Sequence, residues 1–356
     1  MKTTHQIVAI AVSLFSSVAI GRAQSFDPGD LAVLRVGNGS ASLTSAGTAI
    51  FVDQYTTVGS FVSSLAIPST GSGVLVNSGS ASSEGQLTLS ANGQYLVFAG
   101  YNVAAGTAGV AGASSSSVPR GIATLDANGN YSLIATTATY YSGNNIRGGT
   151  SDGNGNYWGA GAASTGGTVY LGTGTPAQIA SSNSLVIQDN SGNLFYSTAK
   201  GATGIYEIAG TPTSGTATPT LVLANAAPSD FAFNTSMTIA YVANTSGGIQ
   251  RYDFSGGSWT LSYTLDSGTG MNGLAVDFSG TDPLIYATTE SGKKLIEITD
   301  TGSGATANTL ATVDGSTEAF RGVDFTPQLV PEPSACALML MGLAGLWDLH
   351  RRNRKS

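Results

Sequence analysis

Residues 229–254 read SDFAFNTSMTIAYVANTSGGIQRYDF and residues 271–298 read MNGLAVDFSGTDPLIYATTESGKKLIEI, and these two stretches are the clearest pair of repeats in the chain. Each begins with a small or polar residue and a short apolar run, passes through a turn into an aromatic-bearing run, and ends in another alternating run. Short runs of alternating apolar and polar residues indicate β-strands, and the turns between them indicate hairpins. The two stretches therefore predict a repeated unit of antiparallel strands.

Turns rich in asparagine and glycine mark the same kind of unit elsewhere in the chain. Tight hairpin turns need residues that tolerate positive φ, as Gly and Asn do. Such turns precede strand-like runs at residues 90–93, 126–129, 152–155 and 189–192. Most units begin roughly forty to fifty residues apart, as in repeat architectures, and the opening residues are Gly85, Gly148, Ser184, Asp230, Gly273 and Gly322.

Four strands in a period of this length are typical of a β-propeller. The last opening, at residues 321–325, leaves no room for three further strands, but the N-terminal runs DLAVLRVG, TAIFVDQYT and FVSSLAIP supply them. We therefore predict an all-β fold, a single propeller of six blades with seven as the alternative, in which strands from both ends of residues 24–329 share one blade. A parallel β-helix is the rival fold, although its coils are shorter and more uniform. The small-residue run 104–117 predicts a surface insertion.

Charge and composition limit what this domain can do. Residues 24–329 contain 8 Lys or Arg and 19 Asp or Glu, so the net charge is −11. Such a domain repels nucleic acid, which we do not expect as a partner. The chain has two histidines and one cysteine, His5, His350 and Cys336, and all lie outside this range. This excludes a histidine-dependent nucleophile and a His- or Cys-ligated zinc site from the domain, and we expect neither a metal site nor another cofactor.

The N-terminus has the form of a secretory signal. Lys2 precedes the uncharged run 7–20, and the small residues Gly21 and Ala23 stand where a signal peptidase requires them. We predict a signal peptide over residues 1–23 that is cut between Ala23 and Gln24. The alternative is an uncleaved membrane anchor, for which the apolar run is short.

The C-terminal residues 330–356 have three parts. The segment opens with Val330, Pro331, Glu332 and Pro333, continues with the apolar run 335–347, and ends in a basic cluster of Arg351, Arg352, Arg354 and Lys355. The prolines keep the first part extended, the apolar run predicts a short transmembrane helix, and the basic cluster should stay cytoplasmic. The alternative is a simple membrane anchor.

This tail resembles the PEP-CTERM sorting signal of exported Gram-negative proteins. The resemblance implies an exosortase, an integral membrane cysteine transpeptidase, as a partner that cuts at or near Pro331, Glu332 and Pro333. It covers only residues 330–356, and Asp348 ends an uncharged run that is short for a permanent span. We therefore expect an exported protein that is held transiently at the inner membrane and then released to the cell surface or the exterior.

The residues that precede the innermost strands of a propeller gather around the central opening at one end, a common place for ligand pockets. An acidic sugar or another small carboxylate would suit the two arginines of this set, because a guanidinium pairs with a carboxylate through two hydrogen bonds. The alternative is that these side chains are solvated loop residues, or that they pair with one another and cap the channel. The predicted pocket residues are Glu84, Arg147, Asn183, Asp230, Asn272 and Arg321.

Three functions are compatible with these features. The first is a non-enzymatic surface or matrix protein associated with envelope, exopolysaccharide or biofilm, as the sorting tail implies. The second is an extracellular propeller enzyme, a lactonase-like hydrolase or a polysaccharide lyase, against which the absence of histidine from residues 24–329 counts. The third is adhesion to ice or another solid surface, which lacks the expected regular Thr-x-Thr array.

Overall fold

The computed structural model describes residues 25–162, 166–198 and 200–329. Within these ranges the chain forms 25 β-strands and one short 3₁₀ turn, Val110–Gly112. The predicted signal peptide, its cleavage site and the sorting tail with its transmembrane helix lie outside the described residues. In the part that is described, no helix is long and apolar enough to cross a membrane.

Four separate sheets share one construction, in which four antiparallel strands follow each other in chain order. In each sheet the first strand is the innermost, as in a propeller blade. The four blades are β9 (Ile146–Ser151), β10 (Tyr157–Gly161), β11 (Thr168–Tyr170) and β12 (Ala177–Ala180); β13 (Ile187–Asn190), β14 (Asn193–Thr198), β15 (Gly204–Ile208) and β16 (Thr220–Ala224); β17 (Pro228–Phe233), β18 (Ile239–Asn244), β19 (Ile249–Ser255) and β20 (Ser258–Leu265); and β21 (Met271–Asp277), β22 (Leu284–Thr289), β23 (Lys294–Thr299) and β24 (Asn308–Thr312).

The remaining strands form one continuous nine-stranded sheet. It contains two groups of four strands, in the orders β25-β1-β2-β3 and β5-β6-β7-β8, and β4 pairs with both β2 and β6 and so joins the groups. The strands are β1 (Leu31–Val36), β2 (Gly47–Tyr55), β3 (Phe61–Ala66), β4 (Val76–Ser78), β5 (Leu87–Leu89), β6 (Tyr95–Tyr101), β7 (Arg120–Asp126), β8 (Tyr131–Thr137) and β25 (Ala319–Phe325).

The prediction of six blades, with seven as the alternative, is therefore wrong. Only four blades are separate four-stranded sheets, because β4 bonds the first two strand groups into a single sheet. The all-β fold and its propeller arrangement are confirmed. The strand β4 is only three residues long and has no alternating pattern, so the sequence gives no sign of the bridge.

The pairing of the first and last described strands closes the ring, as predicted. β1 runs antiparallel to β25, from Leu31 opposite Phe325 to Val36 opposite Ala319. The core lies between neighbouring sheets, where fully buried side chains such as Trp158, Phe231 and Phe320 pack. β25 thus covers the edge of β1 that would otherwise be unpaired.

Side chains also join the inner strands around the axis of the propeller. Asp324 accepts a hydrogen bond from the Leu89 amide at 2.6 Å, and Asp230 accepts one from the Leu274 amide at 2.9 Å. These bonds connect β25 to β5 and β17 to β21. Hydrogen bonds to aspartate side chains therefore link neighbouring inner strands that belong to different strand groups.

The predicted hairpin turns are present. Asp126 accepts hydrogen bonds from the amides of Asn128 and Asn130 at 2.9 and 2.8 Å, and so it organises the turn between β7 and β8. Asp152 organises the next turn in the same way, with the Asn154 amide at 2.7 Å. The carboxylates at these turns are thus occupied by local donors, as in other Asx turns.

Candidate functional site

The end of the propeller at which the inner strands begin is covered by residues 79–86, called here the cap segment. Asn272 donates to the Ser82 carbonyl at 3.1 Å, and Arg321 donates from Nη2 to the Gly79 carbonyl at 3.0 Å. Gln86, the last residue of the segment, donates to Asn272 Oδ1 at 2.9 Å. The cap segment therefore lies across the centre of this end and is held by two inner strands.

Three of the predicted pocket residues are buried beneath or beside the cap segment. Arg321 is 4% exposed, Asn272 3% and Asp230 1%. The two oxygens of Asp230 accept the amides of Phe231 and Leu274, and burial raises its pKa well above the ordinary value. The structure therefore brings Arg321 and Asn272 to the cap segment and places Asp230 between inner strands.

Glu84 is a fully buried carboxylate of the cap segment. One of its oxygens accepts hydrogen bonds from the Tyr101 hydroxyl and from Asn145 Nδ2, both at 2.5 Å, and the other accepts the Ser78 amide at 2.8 Å. Burial raises the pKa of Glu84 to about 7, although these three bonds and the nearby Arg321 oppose the shift. The carboxyl group therefore titrates near neutrality.

The remaining two predicted residues, Arg147 and Asn183, meet each other at a cleft. Arg147 donates from Nη1 to Asn183 Oδ1 at 2.6 Å and to the Ser184 carbonyl at 2.9 Å. The cleft has a volume of about 650 Å³ and lies between the blade β9–β12 and the blade β13–β16. Of the six predicted residues, only these two line it.

The charged groups among the described residues that line the cleft are positive. Arg147 and Lys200 supply two cations, and no carboxylate is among the described residues that line the cleft. Asn145 and Ser182 add an amide and a hydroxyl. The surface of the cleft is therefore opposite in charge to the domain as a whole, in which acidic residues outnumber basic ones by 19 to 8.

Two tyrosines form the aromatic part of the lining. The rings of Tyr196 and Tyr206 lie opposite each other on β14 and β15 and stack with centroids 5.5 Å apart and an interplanar angle of 10°. The Tyr196 hydroxyl is hydrogen-bonded to the Ser182 hydroxyl at 2.5 Å. Tyr206 is only half-buried, so part of its surface remains available to a ligand.

Within residues 25–162, 166–198 and 200–329, Arg147 has no charged partner. Burial lowers its pKa, and Glu84 and Tyr101 oppose that change, but a guanidinium remains charged in any case. It forms no ion pair with a carboxylate among the described residues, and its buried Nε has no hydrogen-bond partner there. Arg147 is therefore a cation whose protein partners are neutral.

The glycines that follow the two arginines serve the packing of inner strands. A β-carbon at Gly148 would lie 2.9 Å from the Gln86 side chain, and one at Gly322 would collide with the backbone at Gly85 and Leu87. The sequence pattern of an arginine followed by glycine therefore marks close strand packing at both positions. It does not distinguish an arginine that lines a cleft from a buried one.

Sequence reasoning missed most of the cleft. Tyr196 and Tyr206 lie within strand-like runs, which predict core positions, and Asn145 has no distinctive neighbours. Lys200 offered a signal, since it is one of only eight basic residues between residues 24 and 329. As for metals, no group of three His, Cys, Asp or Glu side chains comes together in the described ranges.

No protein-family model matches this sequence, and no curated protein matches it. Among solved structures, it is similar to a candidate 6-phosphogluconolactonase from Bacteroides fragilis, at 15% identity and a TM-score of 0.47, over 78% of this chain and 80% of that chain. A second candidate 6-phosphogluconolactonase, from Bacteroides uniformis, matches at 14% identity and a TM-score of 0.45, over 86% and 85% of the two chains. A protein of unknown function from Desulfotomaculum acetoxidans matches at 14% identity and a TM-score of 0.45, over 85% and 90%. Likenesses as distant as these carry no argument about the function of this chain.

Proposed function

We propose that this chain is an exported surface or matrix protein whose propeller binds an acidic sugar without converting it. The observation that carries the proposal is the charge of the cleft. Among the residues that the structure describes, Arg147 and Lys200 line the cleft and no carboxylate does, in a domain that is otherwise strongly acidic. A local positive field in such a domain selects anions from neutral and cationic solutes.

The other groups in the cleft suit a saccharide. Amide and hydroxyl side chains such as Asn145, Asn183 and Ser182 can exchange hydrogen bonds with sugar hydroxyls, because each can donate and accept. The half-buried ring of Tyr206 offers an apolar face against which a sugar ring can pack. A uronate residue combines hydroxyls, an apolar face and a carboxylate, and the volume of about 650 Å³ falls in the range of small-molecule sites.

Lactonase-like hydrolysis is the second candidate function. Glu84 favours it, since a carboxyl group with a pKa of about 7 can act as a general base at neutral pH. However, Glu84 is fully buried and reaches the cleft only through Asn145, which donates to it at 2.5 Å. We therefore favour ligand binding over hydrolysis as the function of the cleft, because the carboxyl group of Glu84 is not exposed to a bound ligand.

Calorimetric titration of the exported protein with glucuronate and with oligogalacturonates tests the proposal. Binding in the cleft predicts that Arg147→Ala weakens the affinity at least tenfold, about 1.4 kcal/mol, because the cation that pairs with the carboxylate is lost. Lys293→Ala is the matched control, since Lys293 is an exposed cation that does not line the cleft, and it should bind like the wild type.

Two results would contradict the proposal. One is the absence of any binding heat with millimolar uronate, and the other is an Arg147→Ala variant that binds as tightly as the wild type. Turnover of an aldonolactone by the wild type, abolished in Glu84→Gln, would establish the hydrolase instead.

Processing at both ends is a further part of the proposal, supported by the signal-like N-terminus and the PEP-CTERM-like tail. In a host that has an exosortase, the mature protein should begin at Gln24 and lack Arg351 and the basic residues that follow it. Intact-mass measurement decides this. A full-length chain in such a host would refute both processing events, and loss of the N-terminal segment alone would indicate a retained anchor.

A further inference from the structure

We propose that Glu84, which does not line the cleft, is the positioning residue that decides how strongly the cleft accepts an anion. This inference rests on the proposed function, because it concerns the same cleft. Glu84 holds the cleft-lining Asn145 through a hydrogen bond of 2.5 Å. Its negative charge also acts on Arg147, which lies two residues after Asn145 and lines the cleft.

The surroundings of Glu84 come from several elements of the fold. Ser78 at the end of β4 and Tyr101 at the end of β6 donate to the carboxylate. The charged groups that act on it are Arg120 on β7, Arg147 on β9 and Arg321 on β25, and none forms an ion pair with it in the described part of the chain. Tyr101 stays protonated because burial and Glu84 both raise its pKa, so Glu84 is the member of this group that changes charge near neutrality.

The direction of the effect follows from Coulomb interactions. An anion beside Arg147 is repelled by ionised Glu84 and is not repelled by protonated Glu84. Anion binding therefore favours the protonated carboxyl group, and by linkage the affinity rises as the pH falls through the pKa of Glu84. The burial of Glu84 supports this pH range, since it raises the pKa to about 7. A neutral sugar should bind with little pH dependence.

Titration with glucuronate at pH 5.5 and 8.5 tests the inference, because a uronate carboxylate remains ionised at both values. In the wild type we expect binding to be about fivefold or more tighter at pH 5.5, within the usual range of coupling between sites. Glu84→Gln, which keeps an acceptor for Asn145 and removes the charge, should bind equally well at both. Asp324→Asn is the matched control, since the pKa of Asp324 is also raised to about 7 but this residue lies at the far end of the inner strands. It should retain the pH dependence of the wild type.

A second measurement needs no ligand. The side-chain amide resonance of Asn145, identified by its loss in Asn145→Ala, should shift with a midpoint near pH 7 in the wild type and remain constant in Glu84→Gln. Binding that requires Arg147 but is independent of pH overturns the inference and leaves the proposed function intact. If glucuronate does not bind at all, the proposed function fails. An Asn145 resonance that does not titrate also overturns the role of Glu84.

Discussion

Two clusters of side chains in this propeller each contain arginine, tyrosine and a carboxylate, but the two clusters differ in which of these groups are hydrogen-bonded to each other. In one, Arg251 on β19 donates to Asp300 at 3.0 Å, and Asp300 also accepts hydrogen bonds from the hydroxyls of Tyr241 and Tyr263. In the other, Glu84 accepts from Tyr101 and Asn145, while Arg147 donates to neutral groups. In the first cluster the arginine and the carboxylate form an ion pair. In the second cluster, Arg147 and Glu84 do not form an ion pair within the described residues.

The pKa shifts of the two carboxylates reflect this difference. Burial acts to raise the pKa of Asp300, but hydrogen bonds from Tyr241, Tyr263 and Arg251 outweigh it and bring the pKa below the ordinary value. Burial also raises the pKa of Glu84, and there its partners do not outweigh it. Hydrogen bonds from two tyrosines and an arginine thus keep Asp300 ionised, whereas Glu84 can change its charge near pH 7.

The largest expected effect on stability comes from removing Asp300, the carboxylate of the first cluster. Asp300→Ala should lower the free energy of unfolding by about 3 kcal/mol, because it leaves two tyrosine hydroxyls without their acceptor and removes one of the two carboxylates that pair with Arg251. Urea-induced unfolding at pH 7 measures this. Asp282→Ala, which removes an exposed carboxylate from the same blade, is the control and should change stability by less than about 0.5 kcal/mol. A similar loss in both variants would show that the Asp300 cluster contributes no special stability.

The pH dependence of stability should distinguish the two carboxylates. The folded pKa of Glu84 is raised above its ordinary value of 4.5 to about 7, so the folded state binds the proton more tightly and the wild type loses stability between about pH 4.5 and 7. Relative to Glu84→Gln, this loss should reach up to about 3 kcal/mol at pH 8. The folded pKa of Asp300 is lowered instead, so its contribution is present above about pH 4 and disappears in acid.

Unfolding curves of the wild type and Glu84→Gln from pH 4 to 8.5 provide the measurement. The comparison between variants matters, because Asp324 also has a pKa raised to about 7 and contributes to the wild-type curve. Parallel curves over the whole range would mean that Glu84 does not titrate within it.

The smallest expected changes in stability come from replacing the arginine of each cluster with alanine. Arg147→Ala should cost about 1 kcal/mol of stability, since only hydrogen bonds to neutral partners are lost, whereas Arg251→Ala should cost about 2 kcal/mol because Asp300 remains buried without its cation. Urea midpoints of the two variants test the ranking. Equal losses of stability would indicate that Arg147 contributes as much to the fold as Arg251 does. Arg147 would then not be a cation that is free to bind a ligand in the cleft.

The sequence predicts the repeating part of the fold well. The stretches 229–254 and 271–298 each show the strand order of a blade, and the closing pair of β1 with β25 follows from the strand shortage after residue 325. These features have local signals, since strand periodicity and turn residues are set by neighbours in the chain. Blade separation has no such signal, because β4 joins two strand groups through only a few backbone pairs.

The candidate site was much less predictable. Arg147 and Arg321 are both followed by glycine, yet Arg147 lines the cleft together with Lys200 while the buried Arg321 is bonded to the cap segment, because their surroundings come from distant parts of the chain. The insertion at 104–117 illustrates the same limit. Arg120 donates to the carbonyls of Ala111 and Ala113 and holds this segment in place, a contact that composition does not reveal.

The pairing of β1 with β25 has a consequence for how the chain acquires its fold. These strands are almost 290 residues apart, so ring closure is a contact of very high sequence separation and should be a late step in folding. During synthesis, which proceeds from the N-terminus, the blade β21–β24 and the blades before it can form from local hairpins. The edge of β1 that pairs with β25 stays unpaired until β25 has been synthesised. An unpaired edge of this kind recruits other strands. In the interval between the synthesis of β1 and that of β25, the unpaired edge of β1 is therefore open to pairing with strands of other chains.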